Sequence, residues 1–334
     1  MINSLDGGPA ANPVLAEVVR SGFVESRHRG SVIGFAADGA IAVRAGSADS
    51  PFFPRSSNKP LQAVGMLRCG LDVDGELLAL AAASHSGEDF HADGVRKILS
   101  GAGLREDALR CPASWPLDEG TAHRLIARGE GKSRIRMNCS GKHAAMLATC
   151  VANGWPTGTY RSPEHPLQQA IRGTVAELAG EPVAAVGVDG CGAPLFGLTL
   201  TGLARAFRAL VLAPPGTAER RVADAMRAYP AWTSGTDRDE RKLMGAVPGL
   251  LVKSGAEGVD AFALADGRAG ALKIDDGAQR ARALITSAIL RLLGATVPDD
   301  VGAVPVIGAD AIVGLIRPVL SALVRVAGAL RRQL

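Results

Sequence analysis

The chain has 334 residues and a net charge of +4, and 47% of its residues are hydrophobic but only 4% aromatic. This length is sufficient for a large core in one domain or in two closely packed lobes. The small charge and the lack of a dense Lys/Arg stripe argue against nucleic-acid binding, and no long apolar run predicts a membrane span.

The N-terminal residues and the cysteines predict the cellular compartment. Residues 1–13 contain no basic region followed by an apolar core, so we expect no signal peptide. The five cysteines, at positions 69, 111, 139, 150 and 191, are odd in number and contain no close pair. Free thiols in a reducing cytoplasm are therefore expected.

The first structural pattern along the chain is a β-hairpin. Residues 31–46 alternate between apolar and polar types and turn at Asp38-Gly39. A strand-to-helix junction follows within about ten residues and contains Ser56 and Lys59. Side chains three positions apart lie on one face of a helix, so the lysine amine is expected to reach the serine hydroxyl.

Helical periodicity then dominates the middle of the chain. A helix over 76–83 is apolar nearly all round and therefore buried. Further helices are predicted at about 89–101, 140–153, 165–179, 200–212, 217–228 and 280–294, with strand-like pieces separated by glycine turns over 249–274. This order predicts an α+β fold with an antiparallel sheet built from both chain ends and a helical middle region.

The C-terminal residues 311–334 combine apolar positions with arginines. This pattern favours a helix docked on the body of the protein or on a partner subunit. A basic amphipathic helix on the surface is the weaker alternative.

A serine and a lysine at this spacing suggest acyl transfer. A neutral amine can take the proton of a serine hydroxyl and so make it a nucleophile, although S-x-x-K alone is also a common helix cap. Lys253-Ser254-Gly255, on a strand far downstream, supplies the K-[ST]-G triplet that accompanies S-x-x-K in serine β-lactamases and penicillin-binding proteins. The two motifs in this order favour a serine hydrolase.

Three further segments carry polar residues in short glycine-containing turns. Residues 84–88 follow directly from the buried helix, where either a capped loop or an active-site segment is expected. Residues 138–143 and 188–194 each place one cysteine beside glycines, but their spacing alone is poor evidence for a metal site. Gly141-Lys142 lacks the upstream glycine that a phosphate-binding loop requires.

Taken together, these blocks resemble one family, the rhizobial-type or class 3 L-asparaginases, also called the asparaginase II family. The matching blocks are RSSNKP at 55–60, ASHSGE at 83–88, NCSGKH at 138–143, VDGCGAP at 188–194, VKSGAEGV at 252–259 and LKIDDG at 272–277. The match extends from about residue 17 to about 320. NCSGKH with DGCGAP is its most specific part.

The resemblance implies a serine β-lactamase-like fold, hydrolysis of L-asparagine to L-aspartate and ammonia, and a homodimer. It implies two catalytic pairs, Ser56 with Lys59 and Ser84 with Lys253. It also implies a zinc ion bound by Cys139, Lys142 and Cys191, with Asp189 beside it. The residues expected to bind substrate are Arg55, His85, Glu88, Asn138, Asp189 and Arg238.

The resemblance and the chemistry together lead to a mechanism. Two lysines packed together repel each other as cations, so at least one is expected to have a depressed pKa. Ser84 is the expected nucleophile and Ser56 with Lys59 its proton relay, although these roles are exchangeable. Zinc is expected to grip the substrate rather than to generate hydroxide.

We expect one asparaginase domain over 1–334, with a sheet lobe at about 15–55 plus 245–320 and a helical lobe at about 56–244. The alternative function is a serine β-lactamase, penicillin-binding-like hydrolase or esterase, which has no use for the cysteine pair. A non-enzymatic binding protein is disfavoured because both serines and both lysines are present.

Overall fold

The computed structural model describes residues 11–325. Its strands are β1 Val14–Arg20, β2 Phe23–Phe35, β3 Ile41–Ala45, β4 Val186–Val188, β5 Pro194–Phe196, β6 Leu251–Gly255, β7 Val259–Ala263, β8 Ala269–Ile274, β9 Val304–Gly308, β10 Ala311–Pro318 and β11 Val324–Arg325. Its α-helices are α1 Lys59–Arg68, α2 Gly75–Ala81, α3 Asp89–Gly101, α4 Glu119–Ala127, α5 Ser140–Ala152, α6 Pro166–Ala179, α7 Leu200–Leu212, α8 Ala218–Ala228, α9 Pro230–Thr233, α10 Asp239–Ala246 and α11 Arg282–Leu292. Short 3-10 turns lie at Arg55–Asn58, Glu106–Ala108, Thr157–Thr159 and Leu320–Ala322.

The main sheet combines strands from both ends of the chain. Its order is β6-β7-β8-β2-β1-β10-β9, and β3 pairs with β2 and with β11. These strand pairs are antiparallel. The N-terminal strands thus lie between β8 and β10, while the helices from α1 to α10 fall between β3 and β6. The α+β fold class predicted from the sequence is confirmed.

The sheet separates two apolar cores because neighbouring residues of a strand point to opposite faces. Ala261 belongs to the core shared with the middle helices, whereas Phe262 belongs to the core beneath α11. Small alanines on the first face allow α7 to pack closely on β7 and β8. The division into two lobes at the predicted boundaries stays a prediction.

The C-terminal region differs from the expected helix. Residues Ala311–Pro318 form strand β10, which pairs with β1 on one side and β9 on the other. Ile316 is buried between exposed Leu315 and Arg317, the alternation of a half-buried strand. Apolar spacing further along the tail resembled a helix, but the residues beyond 325 lie outside the described part of the chain.

The longest of the described helices, α6, has 14 residues. Among residues 11–325, no helix combines the length and the apolar character needed to cross a membrane. All five cysteines are free, as expected from their spacing.

Candidate active site

Two glycines allow distant segments to meet at one place. A Cβ on Gly141 would lie 2.5 Å from the carbonyl oxygen of Leu80, so the first turn of α5 packs directly on α2. A Cβ on Gly255 would lie 2.4 Å from the carbonyl oxygen of Pro54, so β6 packs directly on the turn that contains Ser56. These contacts bring together the turn before α1, the loop after α2, the start of α5 and strand β6.

Lys59 is the centre of the hydrogen bonding. Its side chain is buried, and Nζ donates to the Ala83 carbonyl at 2.7 Å, to Ser84 Oγ at 2.9 Å and to Cys139 Sγ at 3.1 Å. The contacts of Lys59 with Ser84 and Cys139 join the predicted serine-lysine site to the predicted metal site.

The hydrogen bonds join the serines and lysines differently from the predicted catalytic pairs, which stay a prediction. Lys59 bonds to Ser84 and not to Ser56, whose hydroxyl makes no hydrogen bond among the described residues. Within the same residues, no hydrogen bond joins Ser84 to Lys253, whose Nζ donates to the Ser254 carbonyl at 2.9 Å. Spacing along one helix did not decide the contact, because the loop after α2 brings Ser84 to the amine.

Lys253 is fully buried in strand β6. Burial lowers its pKa, the carboxylate of Glu240 acts in the opposite direction, and the cations Lys59, Arg238 and Arg282 lower it further. The net pKa is about 7. Repulsion between Lys59 and Lys253 thus contributes to a depressed lysine pKa, in agreement with the reasoning from the sequence.

The two cysteine turns converge. One ligand atom from each of Cys139, Asp189 and Cys191 lies within 4.8 Å of the others. Lys142 Nζ donates to Cys191 Sγ at 3.2 Å, and Lys142 and both cysteines are buried. The hydrogen bond between the thiols raises the pKa of Cys139 well above its usual value and lowers that of Cys191, which the Lys142 ammonium lowers further. Burial opposes the charge on Lys142, but the Cys191 thiolate outweighs it and raises the lysine pKa.

A neighbouring histidine, His143, lies behind these donor atoms. The Tyr160 hydroxyl accepts from the backbone N–H of Arg110 at 3.1 Å and forms a hydrogen bond with His143 Nδ1 at 2.7 Å. The Nε2 atom of His143 is buried without a hydrogen-bond partner. Two sulfur donors, an amine and a carboxylate around one point, with an imidazole behind them, fit zinc.

Arg55 connects the first turn to the cysteine turn. Its Nε donates to Asp189 Oδ1 at 2.8 Å. The backbone of Arg55 has a φ of +52°, a left-handed conformation that residues with a Cβ rarely adopt. Such strained residues concentrate at functional sites. The contact places both predicted residues at the edge of the site.

His85, Glu88 and Asn138, which are also predicted to bind substrate, form hydrogen bonds within the protein. His85 is buried, accepts from the Gly87 N–H at Nδ1 and contacts Ser140 Oγ at 2.9 Å through Nε2, so its ring is fully occupied by protein atoms. Burial lowers the His85 pKa well below its usual value. The ring holds the Ser84 loop against α5.

Glu88 and Asn138 also hold loops. Glu88 accepts from the Thr236 N–H at 2.9 Å and so attaches the segment before α10 to the start of α3. The backbone carbonyl of Asn138 accepts from the His85 N–H at 3.1 Å, while its partly exposed side chain accepts from Cys139 Sγ.

Arg238 lies immediately before α10, and its charge acts on both Lys253 and Glu240. Its guanidinium forms no ion pair in the part of the chain that the structure describes, and its Nε is buried without a hydrogen bond. The sequence reasoning missed Glu240. Glu240, Leu243 and Met244 are spaced three and four residues apart and are all buried, so a helical pattern in this charge-rich segment was the available signal.

The fold and site define a protein with an antiparallel sheet, a buried serine-lysine contact and an adjoining cysteine pair. The family model described as L-asparaginase II matches residues 16–314. The chain belongs to this L-asparaginase II family, as the resemblance predicted. No curated protein sequence matches the chain.

Solved structures similar to this chain include two that are described as beta-lactamases. One, described as a beta-lactamase from Bacteroides dorei DSM 17855, is 14% identical with a TM-score of 0.47, and the match covers 79% of this chain and 93% of that one. Another, from Mycobacterium bovis, is 13% identical with a TM-score of 0.44, covering 79% and 94%. A structure of Mglu in its tris and glutamate form is 17% identical with a TM-score of 0.34, covering 85% of this chain and 62% of that one.

Proposed function

We propose that this protein hydrolyses the side-chain amide of L-asparagine to L-aspartate and ammonia. Membership of the L-asparaginase II family supports an amide as the substrate. The single observation that carries the proposal is the double contact of Lys59, which lies 2.9 Å from Ser84 Oγ and 3.1 Å from Cys139 Sγ. It joins an activated serine to the cysteine motif that distinguishes this family from penicillin-recognising enzymes.

In the proposed reaction, Ser84 attacks the carbonyl carbon of the amide. The Lys59 amine, in its neutral form, takes the hydroxyl proton and passes it to the nitrogen of the substrate, which leaves as ammonia. The remaining aspartyl ester on Ser84 is attacked by water, whose proton goes to the same amine. Cleavage of the ester returns that proton to Ser84 Oγ and releases L-aspartate.

Serine-to-alanine variants test which hydroxyl attacks. Ser84 is in contact with Lys59, whereas Ser56 makes no hydrogen bond among residues 11–325. Ser84→Ala is expected to lose the chemical step, including the burst of ammonia that accompanies ester formation. Ser56→Ala is expected to retain that burst. Full activity in Ser84→Ala, together with loss in Ser56→Ala, would reverse the assignment.

We propose zinc as the ion that Cys139, Lys142 and Cys191 hold, with Asp189 beside it. When bound, zinc supplies a positive charge that grips polar groups of the substrate. Binding requires both thiols and the lysine amine to release their protons, so the affinity for zinc is expected to fall at lower pH. Zinc content measured by atomic emission should drop in Cys191→Ser and remain in Cys69→Ser, a thiol outside the site.

Ammonia release provides the direct test of the function. The substrates to compare are L-asparagine, L-glutamine and a β-aspartyl ester, each with and without a chelator, alongside a chromogenic cephalosporin. We expect release from L-asparagine and a higher KM after zinc removal. Turnover of the cephalosporin without ammonia release would instead favour a β-lactamase or esterase. An unchanged KM after zinc removal would contradict the gripping role.

The homodimer and the cytoplasmic location expected from the sequence also stay proposals. Size-exclusion chromatography with light scattering measures the first, and cell fractionation measures the second.

A further inference from the structure

A buried carboxylate lies beside the second lysine, outside the blocks that resemble the family. Glu240, on helix α10, has no exposed surface. The Ser254 hydroxyl donates to Glu240 Oε1, and the same oxygen lies 3.8 Å from Lys253 Nζ. Oε2 of Glu240 is buried without a hydrogen bond. A buried carboxylate with an unsatisfied oxygen is unfavourable, so its presence calls for an explanation.

The surrounding cations keep this carboxylate charged. Burial raises its pKa, but Lys253, Arg282 and Arg238 outweigh burial and bring it to about 2. Arg282 itself forms ion pairs with Asp260 at 2.6 Å and with Asp239 at 3.0 Å. Among the described residues, the cation that forms an ion pair with Glu240 is Lys253.

Glu240 contacts two residues of the sheet because helix α10 packs against β6, the edge strand. Lys253 and Ser254 are successive residues of β6 and point to opposite faces of this edge strand. Glu240 contacts the hydroxyl of one and the ammonium group of the other. A single carboxylate therefore fixes the strand and the end of the lysine side chain together.

We propose that Glu240 is a positioning residue that holds the Lys253 amine at the catalytic site and controls its charge. This inference rests on the proposed function, in which the two lysines share the site. The charged groups acting on Lys253 are Lys59 from α1, Arg238 from the segment before α10, Glu240 from α10 and Arg282 from α11. Asp260, on the neighbouring strand, acts on Glu240 and is bound by Arg282.

Glu240 is the anion that opposes this set of cations at Lys253. Its removal leaves burial and three positive charges, all of which favour the neutral amine. The pKa of Lys253, about 7 with Glu240 in place, should then fall. Loss of an opposite charge at this distance typically shifts a pKa by about 1–3 units.

The pH dependence of kcat/KM for L-asparagine is the first measurement. The site requires the neutral Lys253 amine beside the Lys59 amine that takes the serine proton. In the wild type, the acidic limb should therefore rise through about pH 7 as Lys253 loses its proton. In Glu240→Gln this limb should move to lower pH by about 1–3 units. Asp239→Asn is the matched control, because Asp239 is on the same helix but pairs with Arg282. The acidic limb of Asp239→Asn should stay at the pH of the wild type.

A second measurement does not depend on turnover. The chain has seven lysines, so NMR of protein labelled at the lysine Nζ can follow each amine, with Lys253→Met identifying the signal. The wild-type signal should titrate near pH 7, and Glu240→Gln should lower this midpoint. If the chain does not hydrolyse L-asparagine, the proposed function fails while the titration still tests Glu240.

The conservative variant covers the case in which Glu240→Gln does not fold. Glu240→Asp keeps the charge but withdraws it from the amine, so the midpoint should fall by a smaller amount. An unchanged or higher midpoint in either folded variant would overturn the proposal. A wild-type Lys253 signal that titrates near the ordinary lysine value of about 10.4 would also overturn it.

Discussion

Replacing Lys59 with methionine separates the role of this residue in catalysis from its role in stability. The substitution keeps most of the buried volume but removes the three hydrogen bonds to Ala83, Ser84 and Cys139. The proposed reaction then lacks the group that takes the proton from Ser84. Loss of a positioned acid-base group lowers the rate by about 10²–10⁴-fold, and we expect a loss in this range.

The effect of Lys59→Met on stability should be small because two contributions oppose each other. The Ala83 carbonyl loses a partner inside the protein, which costs about 1–3 kcal/mol. The fold no longer buries the polar amine of Lys59, whose transfer from water costs about 1–3 kcal/mol. The net change should stay within about 2 kcal/mol, or only a few degrees in Tm for a chain of this size.

Ammonia release and thermal unfolding measure the two effects on the same preparations. Lys97→Met is the matched control, since Lys97 is exposed on α3, and it should keep both activity and Tm. A Lys59→Met protein that retained more than about a tenth of the activity would refute the role of this amine. A large fall in Tm would refute the argument that its burial is unfavourable.

Two shorter predictions concern the pH dependence and the packing. The pKa of Lys253 is about 7 in the folded protein against 10.5 as its ordinary value, so between these pH values the unfolded chain binds a proton that the folded one does not. Urea unfolding should therefore show stability rising from pH 7 toward 10, and a rise of equal size in Lys253→Met would contradict this. Gly141→Ala would place a Cβ 2.5 Å from the Leu80 carbonyl oxygen, so it should destabilise the fold by about 1–3 kcal/mol and lower activity. Gly131→Ala, where the Cβ meets open space, should do neither.

Local patterns in the sequence were sufficient for most of the elements. Helices α3 and α7 have the predicted bounds of 89–101 and 200–212, because one apolar face over a dozen residues is a strong helical signal. Strand β10 was mistaken for part of a helix, since its irregular apolar spacing becomes interpretable only when β1 and β9 lie beside it. Pairing with distant strands overrides local propensity in such cases.

The residues of the site could likewise be identified from local motifs, whereas their contacts depend on how distant segments pack. The motifs identified Ser84, Lys59 and both cysteines as residues with chemistry, and the fold brings them into contact. The sequence did not show that Lys59 bonds to Ser84, because this depends on how the loop after α2 lies against the start of α1. It also did not show a role for Glu240, whose importance arises from the burial of Lys253 on another element.

Arg238 offers a test of how the substrate is recognised. Its guanidinium has no ion pair among residues 11–325, and its charge acts on Lys253. A partly buried cation without a counterion beside an amidase site is suited to the α-carboxylate of L-asparagine. A hydrogen bond to a charged group contributes about 1.5–3 kcal/mol, so Arg238→Met should raise KM by about 10–150-fold with a smaller effect on kcat.

A substrate without the carboxylate isolates this interaction from general damage to the site. Propionamide has the same reacting amide but no α-carboxylate, so Arg238→Met and the wild type should hydrolyse it with similar kcat/KM. Arg241→Met is the matched control, because Arg241 is exposed and its guanidinium donates to the Thr236 carbonyl away from the site. An equal loss on both substrates would show that Arg238 supports the site as a whole, since removal of a contact to the carboxylate can affect only the substrate that has one.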